Sequence, residues 1–114
     1  MLKRGGVIRH SEVYWNQQTT PGYGNGGGGI ICYEGGLVTN CTIYQNYSAE
    51  AGGGVFCERT GTVVRCDIIN NTAESAGGGV AGDFGGILES CTISANQCGA
   101  LGGGVFFDDR GGTI

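Results

Sequence analysis

The stretch Cys41-Thr-Ile-Tyr-Gln-Asn46-Tyr-Ser-Ala-Glu-Ala51-Gly-Gly-Gly-Val55 decides how this chain folds, because the chain writes it three times. It returns as Cys66-Asp-Ile-Ile-Asn-Asn71-Thr-Ala-Glu-Ser-Ala76-Gly-Gly-Gly-Val80 and again as Cys91-Thr-Ile-Ser-Ala-Asn96-Gln-Cys-Gly-Ala-Leu101-Gly-Gly-Gly-Val105. Cysteine, isoleucine, asparagine and the glycine triplet all keep one step of 25 residues, as in 41 to 66 to 91. A fixed period of this length marks a repeat architecture, in which each unit buries its apolar positions only by stacking on its neighbours.

Working outward, a further triplet at Gly27-Gly28-Gly29-Ile30 opens the series. The N-terminal run Gly5 through Asn16 aligns with Gly35 through Asn46, placing Ser11 on the cysteine column and Val13 on the isoleucine column. Coils start near 5, 35, 60 and 85 with a partial coil from 111, so residues 1–114 read as one domain. The first step is five residues longer than the next, and the insertion falls in Gln17–Asn25, the one candidate functional loop.

Inside the unit there is no helical spacing, and with only four leucines a leucine-rich repeat is excluded. Short β-type runs appear instead. In Val55-Phe56-Cys57 alternation puts Val55 and Cys57 on one face and Phe56 on the other. Thr62-Val63-Val64 and Cys66-Asp67-Ile68-Ile69 follow after bends. Three short strands per coil without helix describe an all-β parallel β-helix of about four coils, with coils stacked about 4.8 Å apart. Ile30/Val55/Val80/Val105, Val38/Val63/Leu88 and Ile43/Ile68/Ile93 are the expected aliphatic columns. Glycine triplets suit corners that need positive φ or close backbone approach. Asn46, Asn71 and Asn96 are expected to form a structural amide ladder at another corner. Asn46-Tyr-Ser48 and Asn40-Cys-Thr42 also fit the glycosylation sequon, although a ladder asparagine faces inward.

Composition narrows the function classes. With 26 glycines in 114 residues no helix bundle is possible, and with a single proline and clustered glycines neither is collagen. Six basic against ten acidic residues, without runs, leave no electrostatic footprint for nucleic acid. No apolar run is long enough to span a bilayer, and Met1-Leu-Lys-Arg-Gly-Gly lacks the apolar segment of a signal peptide.

The pattern Cys41-x-Ile43-x-x-Asn46-x-x-Ala49 leading to Gly-Gly-Gly-Val55, repeated from Cys66 to Val80, resembles the right-handed parallel β-helix repeats of the pectin-lyase-like superfamily. Within it the pattern is most similar to the repeats of polymorphic outer-membrane proteins, which read Phe-x-x-Asn followed by Gly-Gly-Ala-Ile. This chain departs from them by placing Ile43, Ile68 and Ile93 at the phenylalanine. The resemblance implies an extracellular or cell-surface bacterial setting. The superfamily holds polysaccharide lyases and hydrolases, phage tailspikes and adhesins, so the likeness speaks to fold more than to activity.

Several residues are candidates for chemistry. Glu58, Asp83 and Asp108 fall on one column and Glu34 and Asp109 on the next; as stacked carboxylates, Glu58, Asp83, Asp108 and Asp109 could hold Ca²⁺ or simply form a solvated edge. In the lyases an acidic cluster works beside a proton-abstracting base, and Asp108 with Arg110 or Arg59 is the set that could play those parts. Asp83 and Asp108 could also serve as paired carboxylates of a hydrolase. Cys41, Cys66 and Cys91, with Cys32 and Cys57, sit at inward phases and read as buried thiols, leaving Cys98 as the accessible one. His10, the single histidine, builds no triad. Ile31, Phe56, Ala81 and Phe106 line up on an outward face, which makes Ile31, Phe56 and Phe106 either a docking surface or residues covered by flanking turns. Thr42 and Thr92 are interrupted by Asp67, which breaks any regular threonine array of the ice-binding kind.

Finally, Arg110-Gly-Gly-Thr-Ile114 repeats the opening Arg4-Gly-Gly-Val-Ile8, the same phase of the coil. Two expectations follow: the chain is part of a longer β-helix, or it self-associates by stacking its open coil ends into a filament. The expected role is a non-enzymatic scaffold, adhesin or filament unit at the cell surface, with no cofactor other than Ca²⁺. A carbohydrate-active module that binds a glycan along one face is the alternative.

Overall fold

The computed structural model describes residues 2–22, 26–108 and 113–114. The chain winds through four parallel sheets, each built from strands one coil apart. Sheet A joins Leu2–Lys3, Ile30–Tyr33, Val55–Glu58, Val80–Asp83 and Val105–Asp108. Sheet B joins Val7–Arg9, Leu37–Thr39, Thr62–Val64 and Ile87–Glu89, and sheet C joins Glu12–Tyr14, Thr42–Tyr44, Asp67–Ile69 and Thr92–Ser94. The fourth, sheet D, is a ribbon of two-residue strands, Gln17–Gln18, Tyr47–Ser48, Thr72–Ala73 and Gln97–Cys98. Each coil therefore carries four strands rather than three, because a two-residue strand is too short to show alternation in sequence.

Register follows the repeat without slippage. Ile30, Val55, Val80 and Val105 pair in sequence, as do Val38, Val63 and Leu88, and Ile43, Ile68 and Ile93. A one-residue slip would turn every one of these side chains outward, so the buried column fixes the register. Val38, Ile43, Val55 and Ile68 are each 0% exposed. Burying one such side chain contributes about 1.5–3 kcal/mol, so the stacked columns are the chief source of stability.

The corners use two devices. The first glycine of each triplet has positive φ, 75° at Gly27, 64° at Gly52, 56° at Gly77 and 62° at Gly102. The second is there for space: a Cβ on Gly53 would lie 2.4 Å from the carbonyl oxygens of both Gly78 and Thr72. Other corners are turned by non-glycine residues in the left-handed region, such as His10, Asn40, Arg65 and Ser90 at φ 49–53° and Trp15, Gln45, Asn70 and Ala95 at φ 54–56°.

Candidate functional site

A side-chain shortage in sheet A coincides with a groove among the described residues. In sheet A the outward column reads Ile31, Phe56, Ala81, Phe106, one residue per rung. Ala81 supplies only a methyl group between two phenylalanines, and a cavity of about 270 Å³ opens there. Ala51, Ala76, Leu101 and Phe106 line it together with the polar side chains of Glu50, Ser75, Asp83 and Asp108. The column is not a continuous exposed stripe. Phe56 is only 6% exposed, because a flanking turn packs on it: a Cβ on Gly26 would fall 2.4–2.8 Å from its ring atoms. Ile31 and Phe106 are half-buried.

Next to this groove lies the acidic column. Tyr33, Glu58, Asp83 and Asp108 pair rung to rung, and Asp83 is buried while Asp108 is exposed. Among the described residues no three acidic, histidine or cysteine groups converge as a metal site, and Asp109 and Arg110 lie outside the described residues. Arg59 does not join Asp108. Its guanidinium donates to Glu34 Oε1 at 3.3 Å and lies 5.9 Å from the Tyr33 ring centroid, toward the opposite end of the stack. Arg4 reaches the same carboxylate from the other side at 3.5 Å. These exposed pairs tie three rungs together along the axis at about 0–1 kcal/mol each.

Asn46, Asn71 and Asn96 stack at the corner between sheets C and D. Each amide Oδ1 accepts from the backbone N–H and from the side-chain Nδ2 of the preceding rung's asparagine, at 3.0 and 3.0 Å for Asn46 onto Asn71. Each Nδ2 also donates to a carbonyl one rung back, Val13 at 2.9 Å, Ile43 at 2.9 Å and Ile68 at 2.8 Å. Asn16 extends this ladder by donating to Asn46 Oδ1 at 3.0 Å. The sequon at Asn46 is thus occupied by structure, whereas Asn40 is exposed at its corner.

All six cysteines are unbridged thiols. Cys32 pairs in register with Cys57, and Cys41, Cys66 and Cys91 line a second corner. Cys66 Sγ donates to the carbonyls of Val38 and Val64. The hydrogen bond shared with Cys32, and burial after it, pushes the Cys57 thiol well up; the bond shared with Cys91, and again burial, does the same for Cys66. Both are neutral packing groups at ordinary pH. Cys91 and Cys98 are each half-buried.

Elsewhere, His10 is exposed in sheet B's corner, far in register from the acidic column. Sheet C presents Glu12, Thr42, Asp67 and Thr92 as one outward column, and beside it Tyr14 stacks on Tyr44 with ring centroids 5.0 Å apart and planes 8° from parallel. Trp15 is 72% exposed. No helix of the described residues is long and apolar enough to cross a membrane.

No curated protein and no solved structure matches the chain. A family model does match, described as the right-handed β-helix region, and it covers residues 2–114. Given that match and four parallel sheets wound in unbroken register, the chain belongs to the right-handed β-helix family.

Proposed function

We propose that the chain is a structural β-helix module of an extracellular or surface-exposed bacterial protein, a scaffold, adhesin or filament unit that works by coil-on-coil stacking. The observation that carries this reading is the pair of end rungs. Columns that are sealed in the middle open toward both ends: Ile43 and Ile68 are 0% exposed, while Val13 and Ile93 above and below them are only half-buried. Val7 is 55% exposed, although its column partner Leu37 is half-buried. At the other end Thr113 already pairs with Ile87, on the column that Val7 begins, with its N–H donating to Gly86 at 2.9 Å and its carbonyl accepting from Leu88 at 2.7 Å. Apolar columns and unpaired strand edges together accept a further rung, whether from more of the same polypeptide or from a second copy. The surface setting rests on the resemblance to bacterial surface repeats.

Size-exclusion chromatography over a range of concentrations, followed by electron microscopy, tests self-stacking. Fibres of uniform width, about one coil across, support it; a monomer that stays monodisperse at high concentration sinks it. The register of Asp83 on Asp108 beside the groove favours a carbohydrate-active module as the second reading. Its test is a screen of acidic polysaccharides for unsaturated products with and without Ca²⁺.

A further inference from the structure

We infer that Cys91 and Cys66 form a thiol–disulfide exchange site for a low-molecular-weight disulfide such as oxidised glutathione. Cys91 takes up half of the disulfide, and Cys66 resolves the adduct into a staple between the third and fourth coils. Position singles out this pair. Asp67 and Thr92 pair in register and the Thr92 N–H donates to the Cys66 carbonyl at 2.9 Å, so the two cysteines occupy the same place on successive rungs. Their side chains point the same way: Cys66 Sγ donates to Val38 O at 3.6 Å, and Cys91 Sγ donates one rung on, to Val63 O at 3.5 Å. Parallel strands run about 4.8 Å apart, within the Cα separation of about 4.4–6.8 Å that a disulfide spans. The two thiols already share a hydrogen bond. Access then divides the roles. Cys66 is 1% exposed, whereas Cys91, on the last described rung of its corner, is half-buried and open to a small solute. Cys32 also faces Cys57 in register, and Cys41 lies one rung before Cys66, but both members of each pair are closed to solvent, so an oxidant has no first thiol to meet. Cys98 is half-buried like Cys91, yet its rung neighbour is Ala73, which offers no resolving thiol. The hydrogen bond from Cys66 holds the Cys91 thiol below its ordinary range, at about 6, so the attacking thiolate predominates at neutral pH. Cys91 S⁻ attacks one sulfur of the disulfide RSSR, forming Cys91–S–S–R and expelling RS⁻. The capped sulfur no longer holds the Cys66 proton. Cys66 Sγ then attacks Cys91 Sγ and breaks its bond to the SR group, and the proton leaves with that group as RSH. Two electrons pass from the cysteines to the disulfide, which departs as one thiolate and one thiol. The reaction uses rungs within the chain and does not rest on end-to-end stacking.

The test incubates the reduced chain in dilute solution with oxidised glutathione at pH 7, quenches with acid and maps the linked peptides by mass spectrometry. A Cys66–Cys91 link is expected to form at least tenfold faster than any other, at a rate that urea below the unfolding transition leaves unchanged. Cys98 should carry at most a glutathione adduct. Cys66→Ala should halt the reaction at a glutathione adduct on Cys91. Cys91→Ser, at a half-buried position, should abolish the link and leave Cys66 unmodified, and it decides the matter if Cys66→Ala fails to fold. A Cys91 adduct that persists in the parent chain, no reaction at Cys91, or a link whose rate climbs with urea alongside oxidation of Cys32 and Cys57 overturns the inference.

Discussion

The side-chain amide of Asn71 donates to Oδ1 of Asn96 at 3.0 Å, and the backbone N–H of Asn71 donates to the same oxygen at 2.8 Å. One acceptor thus closes two bonds from the rung before it. In return, Asn71 Oδ1 accepts the corresponding pair from Asn46 at 3.0 and 3.0 Å, and Asn71 Nδ2 reaches Ile43 O at 2.9 Å. The corner between sheets C and D is turned inside the protein, with Asn46 1% and Asn71 0% exposed, so water cannot replace these partners.

The ladder's centre should therefore be far more sensitive than its end. Asn71→Ala strands the Asn46 amide donors and the Ile43 carbonyl, each costing about 1–3 kcal/mol when left unmade in the interior. We expect a loss of about 3–5 kcal/mol, a large part of a small domain's stability. Asn96 is only half-buried, and water can take over part of its role, so Asn96→Ala should cost about 1–2 kcal/mol. Urea denaturation of both variants checks this, and equal small losses would refute the ladder's energetic role.

The glycine triplets make a second contrast. A Cβ on Gly53 would meet two backbone oxygens at 2.4 Å, atoms that belong to sheet-bonded turns and cannot step aside. At Gly104 the nearest atom is the Ile93 Cγ2 methyl at 3.3 Å, on a side chain able to shift by a few tenths of an ångström. Gly53→Ala should cost more than about 4 kcal/mol or prevent folding, while Gly104→Ala should cost less than about 1 kcal/mol. Thermal melts followed by circular dichroism would separate the two.

Glycine is missing from some corners where the backbone would welcome it. Ala95 sits exposed at φ 55°, in a region that costs an L-residue about 1–2 kcal/mol. Ala95→Gly relieves that strain against the greater freedom of glycine in the unfolded chain, for a net gain of about 0.5–1 kcal/mol. At Ala73, 1% exposed in an extended strand, the same change should destabilise instead. Opposite signs in denaturant midpoint are the expected outcome.

What the sequence disclosed and what it withheld divide along the period. Columns such as Ile43–Ile68–Ile93 were legible because stacking demands a like residue at each rung, and the step of 25 residues exposes them. Sheet D was not legible, since Tyr47–Ser48 and its copies are two residues long. Nor were the left-handed corners, where His10, Asn40, Arg65 and Ser90 share a conformation and no chemistry. The groove was written in the sequence as Ala81 between Phe56 and Phe106. Only the packing of Gly26 on Phe56 showed that the column is covered at that rung and is not an open stripe.

The cysteines supply the last prediction. Cys32, Cys41, Cys57 and Cys66 are 0–3% exposed, and burial together with shared thiol hydrogen bonds holds Cys57 and Cys66 in the neutral form that does not attack electrophiles. Their alkylation has to wait for the coil to open, an event that in a domain of ordinary stability is rarer than the closed state by a factor on the order of 10³ or more. Cys91 is reachable from solvent, and the hydrogen bond it shares with Cys66 lowers its pKa, which raises its thiolate fraction. Iodoacetamide at neutral pH, read by peptide mass spectrometry, should therefore label Cys91 ahead of every other thiol, with Cys98 next. The remaining four should react together, at one rate that rises with added denaturant, because a stack sealed by common columns opens as a unit. Distinct rates among Cys32, Cys41, Cys57 and Cys66 would show instead that the rungs separate individually.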